Sequence, residues 1–176
     1  MAGLFHYFVE GECEAALLKA LMHSELEEYR ISSGKIEVFN VIYNKISATK
    51  AMTLKKGTVA VFVFDTDIKK TDILEENIDI LLKYSCVEIT DIWFVSSNKC
   101  LEDELIYSCS GIQNINNLFN TTSKEDFKKK LIKSKNIVNK LKSSGFDIDK
   151  IWSRKPNKPF GEYEQKFKDI LKLSRN

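Results

Sequence analysis

Apolar residues recur along the chain in two rhythms, and each change of rhythm marks an element. LFHYFVE (4–10) alternates weakly and carries aromatics, the pattern of a strand. ECEAALLKALMHSELEEY (12–29) then places Ala16, Leu17, Ala20, Leu21 and Leu26 on a helical period between Glu-rich flanks. SSG (32–34) reads as a turn, KIEVFNVI (35–42) as a second strand and NKISATKAMTL (44–54) as a short helix. After KKG (55–57), TVAVFVFD (58–65) is apolar without alternation, as a strand covered on both faces must be. TDILEENIDILLKYS (71–85) opens on a Thr–Asp cap and carries Ile73, Ile80, Leu81 and Leu82 as its apolar stripe. VEITDIWFVSS (87–97) is a fourth strand, and LEDELIYSCS (101–110) a helix with acids in its first turn. A Lys-rich helical stretch (123–143), a turn at SSGF, a loop WSRKPNKPFG (152–161) and a last helix from about 161 to 173 complete the chain.

Strands alternating with helices predict an α/β fold with a mainly parallel four-stranded sheet flanked by helices. Residues 1–120 form the α/β domain in this reading, and 121–176 a basic helical extension packed on it. Sheets of this kind bind ligands at the carboxyl ends of their strands. Glu10, Asp65, Asp67, Ser96 and Ser97 all fall at those ends.

Composition narrows the classes. The 176 residues are 43% hydrophobic and 30% charged, with 7 Gly and 2 Pro, which excludes a disordered or fibrous chain. No apolar run approaches the ~20 residues of a membrane span. The first residues lack a basic start and meet an acid at Glu10, which speaks against a signal peptide and for a cytoplasmic location. Cys13, Cys86, Cys100 and Cys109 form no CxxC pair, and His6 and His23 have no zinc-finger spacing, so free thiols are expected. The overall charge of +2 hides an asymmetry: residues 124–176 hold 16 Lys and Arg against 7 Asp and Glu, and residues 1–123 hold 11 against 18. A basic tail on an acidic body points to a polyanionic partner.

The acid-tipped strands carry the chemistry. Two carboxylates about 4 Å apart repel by roughly 4 kcal/mol at an effective dielectric of 20. A fold tolerates such company when a cation neutralises it or when one member holds a proton. Hard oxygen ligands of this kind suit magnesium or manganese, which meet substrate phosphates. An Asp-x-Asp strand end also opens the haloacid-dehalogenase-like phosphatases. Those expect Thr or Val where Lys69 stands, and they carry the motif in the first strand rather than the third.

VEG (9–11) and FDTD (64–67), separated by a helix and a strand, resemble the TOPRIM domain shared by topoisomerases, bacterial primases and OLD-family nucleases. A narrower similarity is to the RloB-like, defence-associated branch, through VEGE (9–12), FDTD (64–67) and SNKCLEDEL (97–105). The resemblance covers about residues 4–120. It implies magnesium- or manganese-dependent chemistry at a phosphodiester, in phage defence or RNA processing. It makes Glu10 a general acid or base and shared ligand, gives the metal to Asp65 and Asp67, and adds Asn98 and Glu102 to the site. Glu14, one helical turn past Glu10, would face the same rim.

Such a site repels a polyphosphate unless cations surround it. Lys99, Lys128 and Lys129 with Lys130, Arg154, Lys155 and Lys158 are the candidates to hold substrate. Trp152 is either a base-stacking platform or core. A metal-dependent nuclease is the first reading. The alternative is a TOPRIM-like module that binds nucleic acid, nucleotide or a protein partner without turnover, and self-association is left open.

Overall fold

A computed structural model of the chain describes residues 4–84 and 91–174. Four strands, β1 (Leu4–Val9), β2 (Gly34–Val38), β3 (Thr58–Asp65) and β4 (Asp91–Ser97), form one sheet in the order β2-β1-β3-β4. Every pairing is parallel, with Val9 opposite Val38 and Val63, and Asp65 opposite Ser97. The fold is therefore α/β with an all-parallel sheet flanked by helices.

The missing alternation in β3 has a simple cause. Val59, Val61 and Val63 enter one buried cluster with α1 (Glu12–Met22), while Ala60, Phe62 and Phe64 enter another with α3 (Asp72–Tyr84) and α2 (Ala48–Met52). Both faces of the strand are core, so both parities are apolar. The first cluster also takes in side chains of α4 (Leu101–Ser108), α6 (Lys124–Lys133), α7 (Ile137–Ser143) and α8 (Phe167–Ser174). A short α5 (Asn116–Phe119), which the sequence pattern does not show, precedes α6.

Several expected boundaries change: the second strand, expected over 35–42, is Gly34–Val38, and the short helix expected over 44–54 is Ala48–Met52. The helix expected over 12–29 stops at Met22, because turn chemistry takes over. The Ser24 hydroxyl accepts the Leu26 N–H at 3.1 Å, and the Arg30 guanidinium donates to the Ser24 carbonyl at 3.0 and 2.9 Å. The Lys-rich stretch is two helices, interrupted where the Ser134 hydroxyl accepts the Asn136 N–H. The last helix starts at Phe167, after a 3-10 turn over Phe160–Glu162. The expected start of the fourth strand, 87–90, lies outside the described residues, as does Cys86. Cys13, Cys100 and Cys109 are free. Among the described residues no helix is long and apolar enough to cross a membrane.

The strand order positions the site. From β1 the chain moves to β2 on one side, and from β3 it moves to β4 on the other. The connection reverses direction between β1 and β3, and the crevice at such a reversal is where open α/β sheets hold ligands.

Candidate functional site

Glu10 and Asp65 leave the two strands that flank this reversal. Their contact is direct: a Glu10 carboxylate oxygen accepts the Asp65 backbone N–H at 2.9 Å. Asp65 shares the parity of Val61 and Val63, so it faces α1, and there it meets Glu14. Gly11, in extended conformation, lets the chain turn from β1 into α1; a Cβ there would stand 3.2 Å from a Glu14 carboxylate oxygen. Glu102 enters from the first turn of α4. Together these four acids line a cleft of about 390 Å³ with a fifth, Glu12, and with Asn40 and Lys128.

The electrostatics follow from crowding. Burial, then Glu14 and Glu10, push the Asp65 carboxyl up to about 8, and its Oδ1 is buried without a hydrogen-bond partner. Burial likewise raises Glu14, helped by Glu10 and Glu102 and opposed by its own backbone N–H and by Lys128. Glu10 is raised by burial and by Asp67, against the Asp65 N–H and the Asn40 amide. Glu102 goes the other way. Burial would raise it, but the Cys100 thiol, its own N–H, Lys128 and Lys124 together hold it below the usual carboxylate range. Lys124 and Lys128 stand 3.3 and 3.4 Å from its oxygens. One acid of the four thus has its counterions within the protein, and Asp65 does not.

The remaining candidates are placed differently. Asp67 is exposed and close enough to Glu10 to raise it, yet it does not line the cleft. Asn98 accepts from the Asn157 amide at 2.5 Å. Lys99 has φ 87, the left-handed region that costs a side-chain-bearing residue energy. Its N–H donates to the Thr66 hydroxyl at 3.2 Å, and its ammonium lies 3.8 Å from Asp103. Lys129 is exposed. Lys155 and Lys158 line a second cleft. Arg154 is engaged: it donates to Glu104 at 2.7 Å and lies over the Tyr107 ring at 4.3 Å. Trp152 is core, 1% exposed, with its indole N–H donating to the Ser97 hydroxyl at 3.2 Å. It is no stacking platform for a base.

Three residues gain roles that sequence reading missed. Thr66, between the two aspartates, donates to the Ser97 carbonyl at 2.9 Å and so joins the ends of β3 and β4. Asn40 gives its Oδ1 to the N–H groups of Ile42 and Tyr43 at 2.9 and 3.2 Å, which leaves its amide for Glu10. Glu104, 0% exposed, accepts from the Asn98 and Trp152 N–H groups at 2.8 and 3.1 Å besides Arg154. No local signal marks these partners, which lie as far as 50 residues away.

The donor set matches a hard divalent cation in kind. Among the described residues no group of three or more His, Cys, Asp or Glu side chains stands ready to hold a metal ion. Magnesium does not require three, since it keeps several waters and is commonly held by one or two carboxylates. The unpartnered Asp65 oxygen beside Glu10 fits that mode. Comparison with known proteins finds no matching family model, no matching curated protein and no matching solved structure.

Proposed function

We propose that this chain is a TOPRIM-type nuclease that uses magnesium or manganese to hydrolyse phosphodiesters in DNA or RNA. One observation carries the reading: at the reversal point of the sheet, a buried Asp65 oxygen has no partner and shares its cleft with four further carboxylates. Burying such an atom is costly unless something satisfies it.

Asp65 and Glu10 would hold the ion. When bound, it supplies a Lewis acid for a phosphoryl oxygen and a water of lowered pKa. Glu10 keeps its orientation through the Asp65 N–H and the Asn40 amide. Glu14, raised by burial, is suited to hold a proton for a leaving oxygen. Lys128 lines the same cleft and is paired with Glu102, so it tempers the negative charge a phosphate would meet there.

The reading is tested by titrating magnesium and manganese into the protein by calorimetry, with cleavage of DNA and RNA oligonucleotides followed in parallel. Wild-type protein is expected to bind the ion and cut. Asp65→Asn is expected to lose both, and Glu10→Gln to lose cutting. A second reading, binding without turnover, is favoured by Lys124 and Lys128, which already neutralise Glu102 from within. Oligonucleotide binding without ion uptake or cleavage would select it.

A further inference from the structure

A second cleft, of about 740 Å³, is lined by Lys69, Lys155 and Lys158, with Pro156, Pro159 and Glu162 among them. Other lysines near the acidic site are spent on carboxylates, as Lys99 on Asp103 and Lys124 and Lys128 on Glu102. Among the described residues, none of the three cleft ammonium groups has an ion-pair or hydrogen-bond partner. Three like charges against one exposed Glu162 make a cleft with an excess of positive charge.

These lysines do not hang on a loose loop. Glu104 fixes the backbone at Trp152 and the side chain of Arg154, and the Gln165 amide donates to the Arg154 carbonyl at 3.2 Å. Asn157, between Lys155 and Lys158, donates to Asn98 at 2.5 Å. Phe160 is fully buried, its ring 5.5 Å from that of Phe64. Both ends of the segment are therefore tied to the rim of β3 and β4. A backbone ordered in advance lowers the entropic cost of closing on a ligand.

We propose that this cleft binds the phosphodiester backbone of a nucleic acid at a step removed from the acidic cleft. The identity of the ligand rests on the nuclease reading; the anion-binding character of the cleft does not. Lys69 follows Asp65 by four residues, so their Cα atoms are at most about 14 Å apart. That is a span of only a few phosphates along one strand. The β3–α3 loop would then carry carboxylates at its start for the reacting phosphate and a lysine further on for a neighbouring one. Anchoring a non-reacting phosphate positions the scissile bond.

The test is fluorescence anisotropy with a short labelled single-stranded DNA across a range of salt, in EDTA. Replacing all three lysines (Lys69→Ala, Lys155→Ala, Lys158→Ala) is expected to weaken binding about tenfold and to flatten the salt slope by about 2, since each phosphate contact contributes ~0.7. A thermal melt of the triple variant matching wild type shows that the fold is kept. Wild-type affinity and slope in a folded triple variant overturn the proposal. So does competition by inorganic phosphate or a mononucleotide equal to that of a longer oligonucleotide, which would make the cleft a free-phosphate site. The assay contains no divalent ion and reads no cleavage, so its outcome is separate from whether Glu10 and Asp65 catalyse.

Discussion

Asp65 concentrates the tension of the acidic cleft in one titrating group. Its carboxyl belongs near 3.8 in an unfolded chain and is pushed up to about 8 in the fold. Between those values the folded protein holds a proton that the unfolded chain has released. This group's contribution is therefore greatest below about pH 4, falls as pH rises toward 8, and levels off above. Asparagine has no proton to lose. Asp65→Asn should be more stable than wild type at pH 8 without divalent ions, by on the order of 5 kcal/mol, with the difference closing near pH 4. Magnesium should stabilise wild type and leave the variant unmoved. Thermal denaturation across pH, with and without the ion, measures both; a difference that ignores pH would rule out this origin. Glu104 is the opposite case, a buried acid whose partners are all supplied. Glu104→Ala leaves the Arg154 guanidinium and two backbone N–H groups without their acceptor. A loss of about 3–5 kcal/mol is expected in chemical denaturation. Glu10 and Asp65 are legible in the sequence because strand-end acids are unusual where apolar runs stop. Glu104 is not, because an acid in a helix's first turn has an ordinary explanation and its partners are distant in sequence.

Among the elements, β2 is held against β1 by the absence of a side chain. A Cβ on Gly34 would stand 2.5 Å from the Phe5 carbonyl oxygen and 2.7 Å from the Phe5 Cβ. Both atoms belong to β1, which is paired on its other side with β3 and cannot yield. Gly34→Ala should therefore cost about 2–3 kcal/mol through overpacking. Urea unfolding at an unchanged midpoint would show that the strands can separate to admit a methyl group. At the opposite edge, the Gln165 amide accepts from the Ser96 N–H at 3.0 Å and donates to the Ser96 carbonyl at 2.6 Å, closing β4 as a further strand would. Such pairings explain which elements can be read in advance. The core of β3 is visible because burial on two faces leaves an uninterrupted apolar run. The end of α1 is hidden because Leu26 continues the helical period, while the bonds that stop the helix come from Ser24 and Arg30. The break between α6 and α7 is equally quiet, resting on three polar residues in a Lys-rich stretch.

For the molecule as a whole, the decisive relation is between the sheet and the basic C-terminal third. Phe127 and Leu131 of α6, Leu141 of α7, Trp152 and Phe167 belong to the same buried cluster as Leu17, Leu18 and Leu21 of α1. The acidic cleft shares this dependence, since Phe127 and Lys128 line it and Lys124 and Lys128 are the counterions of Glu102. Sequence patterning places a boundary near residue 120, where charge changes sign and the motifs end. Charge and motif report on surface and chemistry, whereas folding autonomy depends on whether apolar faces are covered. Cutting the chain after residue 120 would expose the α1 face and remove both lysines from Glu102. It would also deprive Ser97 of the Trp152 indole N–H and the β4 edge of Gln165. Each buried side chain of this size contributes about 1.5–3 kcal/mol, and a domain's net stability is only about 5–15 kcal/mol. Losing five or more such side chains outweighs that margin. Residues 1–120 alone are expected to show no cooperative thermal transition by circular dichroism and to bind a hydrophobic dye, with the full chain melting in one step. A sharp, dye-free transition in the fragment would instead make it a self-sufficient domain and reduce the C-terminal helices to an appendage.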